Sequence, residues 1–107
     1  MNAWMLLIIA GLLEPIWAAM MKRSDGFTRL WPTLATLGIS AISFIMLGRA
    51  IKTIPIGTGY AVWTGIGAAG TALVGILLFH EGAQPVRLFF IGLILVGMVG
   101  LYFNSPR

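Results

Sequence analysis

Four long apolar runs, separated by short polar connections, limit what this chain can fold into. The runs cover residues 3–21, 30–47, 57–79 and 86–103. Each has about 18 to 23 residues, which is the length that a helix needs to cross the hydrocarbon of a bilayer once. Backbone N–H and C=O groups in lipid must bond within their own segment, so each run is predicted to be a helix. The sequence therefore predicts an all-α membrane protein, with one domain of four transmembrane helices over residues 1–107.

The composition argues against a soluble protein and against most catalytic chemistry. Only 9% of the residues are charged, whereas a soluble domain has about 25%. The net charge of +4 lies at the ends of the runs, which indicates topology and lipid headgroup contact rather than nucleic-acid binding. There is no cysteine, and the one histidine, His80, has only Glu81 beside it, too few ligands for a metal. We expect no metal, no cofactor and no enzymatic activity.

Glu14 is the one ionisable side chain inside the first run, two residues past its midpoint. At this position it lies about 3 Å from the bilayer centre, where a carboxylate costs at least a few kcal/mol. Such acids usually face a bundle interior or a wet cavity, so we predict that Glu14 binds substrate and protons. The alternative is a protonated acid that only hydrogen-bonds between helices. An acid in mid-run, with no basic stretch before it, also argues against a cleaved signal segment.

The helical neighbours of Glu14 indicate a pocket around it. Gly11 and Trp17 lie three residues before and after the acid, so they share its face of the helix. A small residue there lets another backbone approach closely, and the flat indole of Trp17 suits the wall of a pocket. Pro15 follows the acid and cannot donate to the carbonyl of Gly11, which leaves that carbonyl available to water in a cavity.

The second and third runs offer the polar partners that a buried carboxylate needs. Ser40 and Ser43 belong to a stripe of hydroxyl groups at helical spacing, for which ordinary hydrogen bonding between helices is the alternative role. Tyr60 and Trp63 lie one turn apart, and a buried tyrosine needs a partner for its hydroxyl. Glu14 is the strongest acceptor at that depth, so we expect Tyr60 to donate to it rather than only pack.

The basic residues are balanced between the two ends of the bundle. The short connections place Arg49, Lys52 and Arg107 on the side of the N-terminus, and Lys22, Arg23, Arg29 and Arg87 on the opposite side. With the α-amino group included, each side carries about four positive charges, so the positive-inside rule gives almost no preference. A balanced count fits a chain that inserts in both orientations. A single orientation that the count fails to reveal is the alternative.

Several longer stretches resemble one known family along nearly the whole chain. They are WA at 17–18, MK at 21–22, GFTRL at 26–30 and KTIPIGTGYAVWTGIG at 52–67. With the acid in the first helix, they resemble the small multidrug resistance family, and most closely its guanidinium exporter subtype. The multidrug subtype typically has Gly where Trp17 stands and lacks the pattern around Lys52.

The resemblance implies a fold, an activity and a set of site residues. It implies an antiparallel, dual-topology homodimer in a prokaryotic inner membrane that exports guanidinium and small guanidinyl cations in exchange for protons. The essential acid is then Glu14, shared as a central pair, and the residues implied to line its site are Trp17, Ser43, Tyr60 and Trp63. The fourth helix would form much of the dimer contact, and the small residues that suit such packing are Gly92, Gly97 and Gly100.

The sequence departs from the family pattern at two positions. Pro15 replaces the usual aliphatic residue after the acid, and Gly59 stands where the motif usually has Ala.

Two alternative functions are compatible with the sequence. A broader exporter of quaternary ammonium or hydrophobic cations is one alternative, because aromatic rings bind such cations through cation–π contacts. A structural membrane subunit that transports nothing is the other, and it leaves Glu14 without a role.

Overall fold

The computed structural model describes residues 2–104, which form four helices joined by short connections. The helices are α1 (Ala3–Arg23), α2 (Leu30–Ala50), α3 (Ile56–Leu78) and α4 (Pro85–Phe103). All four are long and apolar enough to cross a membrane, and no strand occurs among residues 2–104. The predicted class, an all-α protein with four transmembrane helices, is confirmed. Arg107, counted above among the basic residues, lies outside the described residues.

The N-terminal ends of α1, α3 and α4 carry residues that cap a helix or are tolerated in its first turn. The side chain of Asn2 accepts a hydrogen bond of 2.8 Å from the backbone N–H of Met5 and so caps α1. Pro55 immediately precedes α3, and Pro85 is the first residue of α4. Proline is tolerated at these positions because the first turn of a helix leaves its N–H groups without intrahelical partners.

The connection between α1 and α2 is organised by Ser24, which is fully buried. Its hydroxyl donates to the carbonyl of Met21 at 2.6 Å and accepts from the N–H of Phe27 at 3.0 Å. The next three residues, Asp25, Gly26 and Phe27, have positive φ angles of 51°, 70° and 67°. The buried hydroxyl therefore supports a tight left-handed turn, which brings α2 back alongside α1.

Helix α1 occupies the middle of the bundle. It packs against both α2 and α3, whereas α4 packs along α3. A cluster of buried hydrophobic residues lies where the first three helices meet, and its members are Leu7, Ala10, Leu47, Ala50, Ile54, Val62 and Trp63. This arrangement places α1, and Glu14 with it, between α2 and α3.

Helix α4 is attached to the bundle along one side. Ile91 is its one buried residue, and its Tyr102 packs edge-on against Trp4 of α1 with ring centroids 4.7 Å apart. A Cβ added at Gly92, Gly97 or Gly100 would meet nothing within 4 Å. Within the described chain, these small residues therefore face open space rather than another helix.

Candidate functional site

The helices α1 and α3 approach closely along a glycine seam, which we define as Gly11, Gly67 and Gly70. A Cβ at Gly67 would overlap the carboxylate of Glu14. A Cβ at Gly70 would come within 2.5 Å of Cγ of Pro15, and one at Gly11 within 2.9 Å of Cβ of Ile66. The carboxylate of Glu14 therefore rests directly on the backbone of α3, in the middle of the membrane-spanning length.

Two polar atoms on the Glu14 face of α1 are buried without a hydrogen-bond partner among the described residues. They are Oε2 of Glu14 and Nε1 of Trp17, one an acceptor and the other a donor. A buried polar group that stays unsatisfied costs about 1–3 kcal/mol. Both atoms therefore favour a state in which water, a ligand or a second chain supplies the missing bond.

Ser43 joins three helices through one hydroxyl group. The side chain is fully buried, and its Oγ donates to the carbonyl of Ala10 at 2.7 Å while accepting from Nε1 of Trp63 at 3.1 Å. A serine has a single O–H to donate, and here it goes to the backbone of α1, one turn before Glu14. In the described chain, Ser43 therefore positions Trp63 and the turn that carries Glu14.

Four aromatic rings form a continuous row from α1 across α2 to α3, which we call the aromatic row: Trp17, Phe44, Trp63 and Tyr60. The centroids of successive rings are 6.3 Å, 5.3 Å and 5.4 Å apart. Trp63 is buried, whereas Phe44 and Tyr60 are 50% and 52% exposed. Sequence reasoning missed Phe44, and the available signal was its position next to Ser43.

The remaining predicted site residues, Gly11, Ser40 and Tyr60, contact residues other than Glu14. Gly11 faces Ile66 across the glycine seam, and the hydroxyl of Ser40 bonds back to the carbonyl of Leu37 within α2 at 3.2 Å. Tyr60 reaches Trp63 and forms no hydrogen bond with Glu14 within residues 2–104. The binding roles of Gly11, Ser40 and Tyr60 remain predictions.

The two departures from the family pattern both have neighbours that account for them. Pro15 is buried, and its ring lies over Gly70, which has no side chain to obstruct it. A Cβ at Gly59 would come within 2.8 Å of Cγ2 of Ile51, so alanine there requires the Ile51 side chain, or the α2–α3 connection that carries it, to shift. Gly59 is therefore matched to the close approach of that connection.

Replacing Ser43 with alanine is expected to lower the free energy of unfolding by about 1 kcal/mol, which is within the range measured for hydrogen bonds between membrane helices. The change removes the donor to Ala10 and leaves the indole N–H of Trp63 buried and unsatisfied. Ser40→Ala is the matched control, because its bond stays within α2. Reversible unfolding in mixed micelles measures both, and equal stability of the two variants would contradict the bridging role.

Four membrane-length helices, and a carboxylate whose Oε2 is buried between two of them, define a small multi-pass membrane protein with a polar site in its interior. Residues 2–94 match the family described as Small Multidrug Resistance protein. The chain belongs to this family. It is therefore a transporter of the membrane and not an enzyme, and the described residues include no group of three His, Asp or Glu that is suited to a metal ion.

Curated bacterial relatives match almost end to end. Proteins named "Guanidinium exporter" from Citrobacter freundii and Salmonella typhimurium are each 52% identical over 103 residues, which is 96% of this chain and 98% of theirs. A protein of the same name from Yersinia pseudotuberculosis is 54% identical over 96% of this chain and 99% of its own. The match therefore includes all four helices.

Proposed function

We propose that this protein exports guanidinium and small guanidinyl cations in exchange for protons, with Glu14 as the shared binding site. The observation that carries the proposal is the buried Oε2 of Glu14, which has no hydrogen-bond partner within the described residues. The names of the relatives support the same substrate class, since guanidinium exporters match 96% of the chain.

The chemistry of guanidinium suits this carboxylate. Guanidinium is planar and permanently charged, and its N–H groups match a carboxylate two bonds at a time. A proton and the cation cannot both occupy the same carboxylate oxygens, so they compete. If the transporter changes its access only when loaded, this competition couples inward proton flow to outward export of the cation.

The aromatic row gives the cation a second kind of contact. Trp17 and Trp63 lie on either side of Phe44, so flat rings extend from the helix of Glu14 to α3. A planar cation stacks on such faces through cation–π interaction. The indole N–H of Trp17, buried without a partner among residues 2–104, is available to hold the Glu14 carboxylate through a water molecule or in a shifted rotamer.

A second copy in the opposite orientation would complete the pathway. The open space at Gly92, Gly97 and Gly100 supports a contact through α4, since small residues let membrane helices approach closely. The balanced basic residues support insertion in both orientations. Two inverted copies form the inverted-repeat arrangement that secondary transporters use for alternating access, and they would bring two Glu14 carboxylates to one central site.

A broader export of quaternary ammonium and hydrophobic cations is the second candidate. The observation that favours it is the half-exposed ring of Phe44 in the aromatic row, since exposed aromatic faces bind such ions without hydrogen bonds. Tetrapropylammonium has no N–H group, so it distinguishes a site built for hydrogen bonding from one built for cation–π contact.

Solid-supported membrane electrophysiology on purified protein in liposomes tests the proposal. We expect currents with guanidinium and none with tetrapropylammonium, and an imposed proton gradient should drive guanidinium uphill. Currents of equal size with both ions would move the assignment to the broader exporter. The absence of a current with both ions would favour a structural subunit instead.

A further inference from the structure

A cavity with charged side chains at its rim lies at the end of the bundle where α1 ends and α3 passes into α4. Its volume is about 290 Å³. The helices α1 and α3 line it with Ala18, Lys22, Thr71 and Gly75, and Glu81 and Arg87 stand at the α3–α4 connection. Among the described residues that line it, Glu81 is the one acid.

The carboxylate of Glu81 is held against the backbone of α3. His80 has a positive φ of 56°, which turns the chain so that the N–H of Glu81 donates to the carbonyl of Gly75 at 3.1 Å. A Cβ at Gly75 would overlap the Glu81 carboxylate. Glu81 therefore rests on a glycine of α3, as Glu14 does at Gly67.

A guanidinium group already occupies this carboxylate. Nη2 of Arg87 lies 2.6 Å from Oε1 of Glu81, and Nη1 donates to the carbonyl of Gly82 at 3.1 Å. The side chains of Arg87 and Glu81 are 34% and 45% exposed. Exposed ion pairs are weak and are screened by salt, so a free cation of the same chemistry can exchange with the side chain of Arg87.

The cavity extends from Glu81 towards Glu14 and ends about one turn of helix short of it. Gly67 and Gly75 are eight residues apart on α3, which corresponds to about 12 Å along the helix. Ala18 and Thr71, which line the cavity, lie one turn beyond Glu14 and Gly67. A cation at Glu81 would therefore be about two turns of helix from the central acid, and the cavity covers the outer of these two turns.

The other charges near Glu81 are mostly positive. Lys22 and Arg87 line the same cavity, and Arg23 lies with its Cζ 5.5 Å from the centroid of the Phe79 ring, on the same end of the bundle. Asp25 follows in the α1–α2 connection. A cation that approaches this end meets net repulsion, and Glu81 is the carboxylate at the cavity that offsets it.

We propose that Glu81 is an outer binding site for guanidinium-type cations, where the substrate exchanges with the side chain of Arg87 on its way to or from Glu14. The proposal rests on the proposed function, because it assigns a second binding site to the same substrate. It gives Arg87 the role of a tethered competitor, which holds the carboxylate in place when no substrate is bound.

Steady-state transport at low ionic strength separates this role from a structural one. Glu81→Gln should raise the KM for guanidinium roughly two- to fivefold, the range for one exposed charge contact, while the rate at saturating guanidinium stays within about twofold of wild type. Arg87→Gln should leave the KM unchanged or lower it, because the competitor is gone. An equal rise in KM in both variants would show that the Glu81–Arg87 ion pair has only a structural role, which would contradict the proposal. The absence of any rise in KM in Glu81→Gln would also overturn it.

Direct binding provides a second test that does not depend on transport. In Glu14→Gln protein in micelles, guanidinium chloride should shift the Arg87 Nε–Hε NMR resonance saturably, and Glu14→Gln/Glu81→Gln protein should lose the shift. Tetramethylammonium chloride is the matched control for ionic strength and should produce no saturable shift. Equal shifts with the two salts would overturn the outer site. Absence of guanidinium currents in the wild type would instead overturn the proposed function.

Discussion

Replacing Glu14 with glutamine is expected to reduce guanidinium transport by roughly thirtyfold or more, since losing one partner of a buried, hydrogen-bonded charge pair costs about 2–5 kcal/mol and each 1.4 kcal/mol is about tenfold. Glutamine keeps the size of the side chain that lies over Gly67 but removes the charge that binds the cation and the site that binds the proton. The measurement is the current of the variant in liposomes, with guanidinium and with a proton gradient.

The control for this variant is its folding. Glu14→Gln should keep the helix content and the unfolding transition of the wild type in detergent, because Oε2 of Glu14 has no partner within the described residues to lose. A variant that folds and transports nothing supports the central role of the acid. Retained proton-coupled export by Glu14→Gln would contradict the mechanism, whatever substrate is used.

Replacing Gly67 with alanine is expected to lower transport by about tenfold or more and the free energy of unfolding by about 1–3 kcal/mol, the usual cost of overpacking. The new methyl group would overlap the Glu14 carboxylate and would lie 2.8 Å from the Glu14 Cβ. Rotation of the carboxylate alone cannot relieve the second contact, so α1 and α3 must also separate. Transport and unfolding measured on the same preparation check both effects.

Gly48→Ala is the matched control for Gly67→Ala. It makes the same chemical change in a membrane helix, but a Cβ at Gly48 would meet nothing within 4 Å. Alanine is intrinsically the better helix former by about 1 kcal/mol, so Gly48→Ala should be as stable as the wild type or more so. Wild-type transport by Gly67→Ala would show that the acid does not need its position on the glycine seam.

The fold was largely predictable because lipid imposes simple requirements on the backbone. Runs of membrane length must be helices, and the four helices follow the four runs. The apolar pattern did not predict that α1 continues to Arg23 and α2 to Ala50. Lys22, Arg23 and Arg49 remain helical there, since long basic side chains extend from a helix end towards the headgroups.

The acidic residue of the site could be predicted from the sequence, but most contacts between the site residues could not. Glu14 is distinctive because a charge in an apolar run has few alternative roles. The hydrogen-bond partners of Ser43 and the contact of Glu14 with Gly67 could not be predicted. Helices that are apolar all round carry no periodic signal that shows which face packs against which helix. Ser43 was expected to hold a carboxylate, and its proton is instead donated to the carbonyl of Ala10.

The glycine seam interlocks in both directions along the axis shared by α1 and α3. Glu14 and Pro15 of α1 project into hollows at Gly67 and Gly70, whereas Ile66 of α3 projects into the hollow at Gly11. Sliding one helix past the other by a single residue, about 1.5 Å, would drive these projections against neighbouring side chains. The seam thus fixes the register of α1 against α3 and resists sliding of one helix past the other.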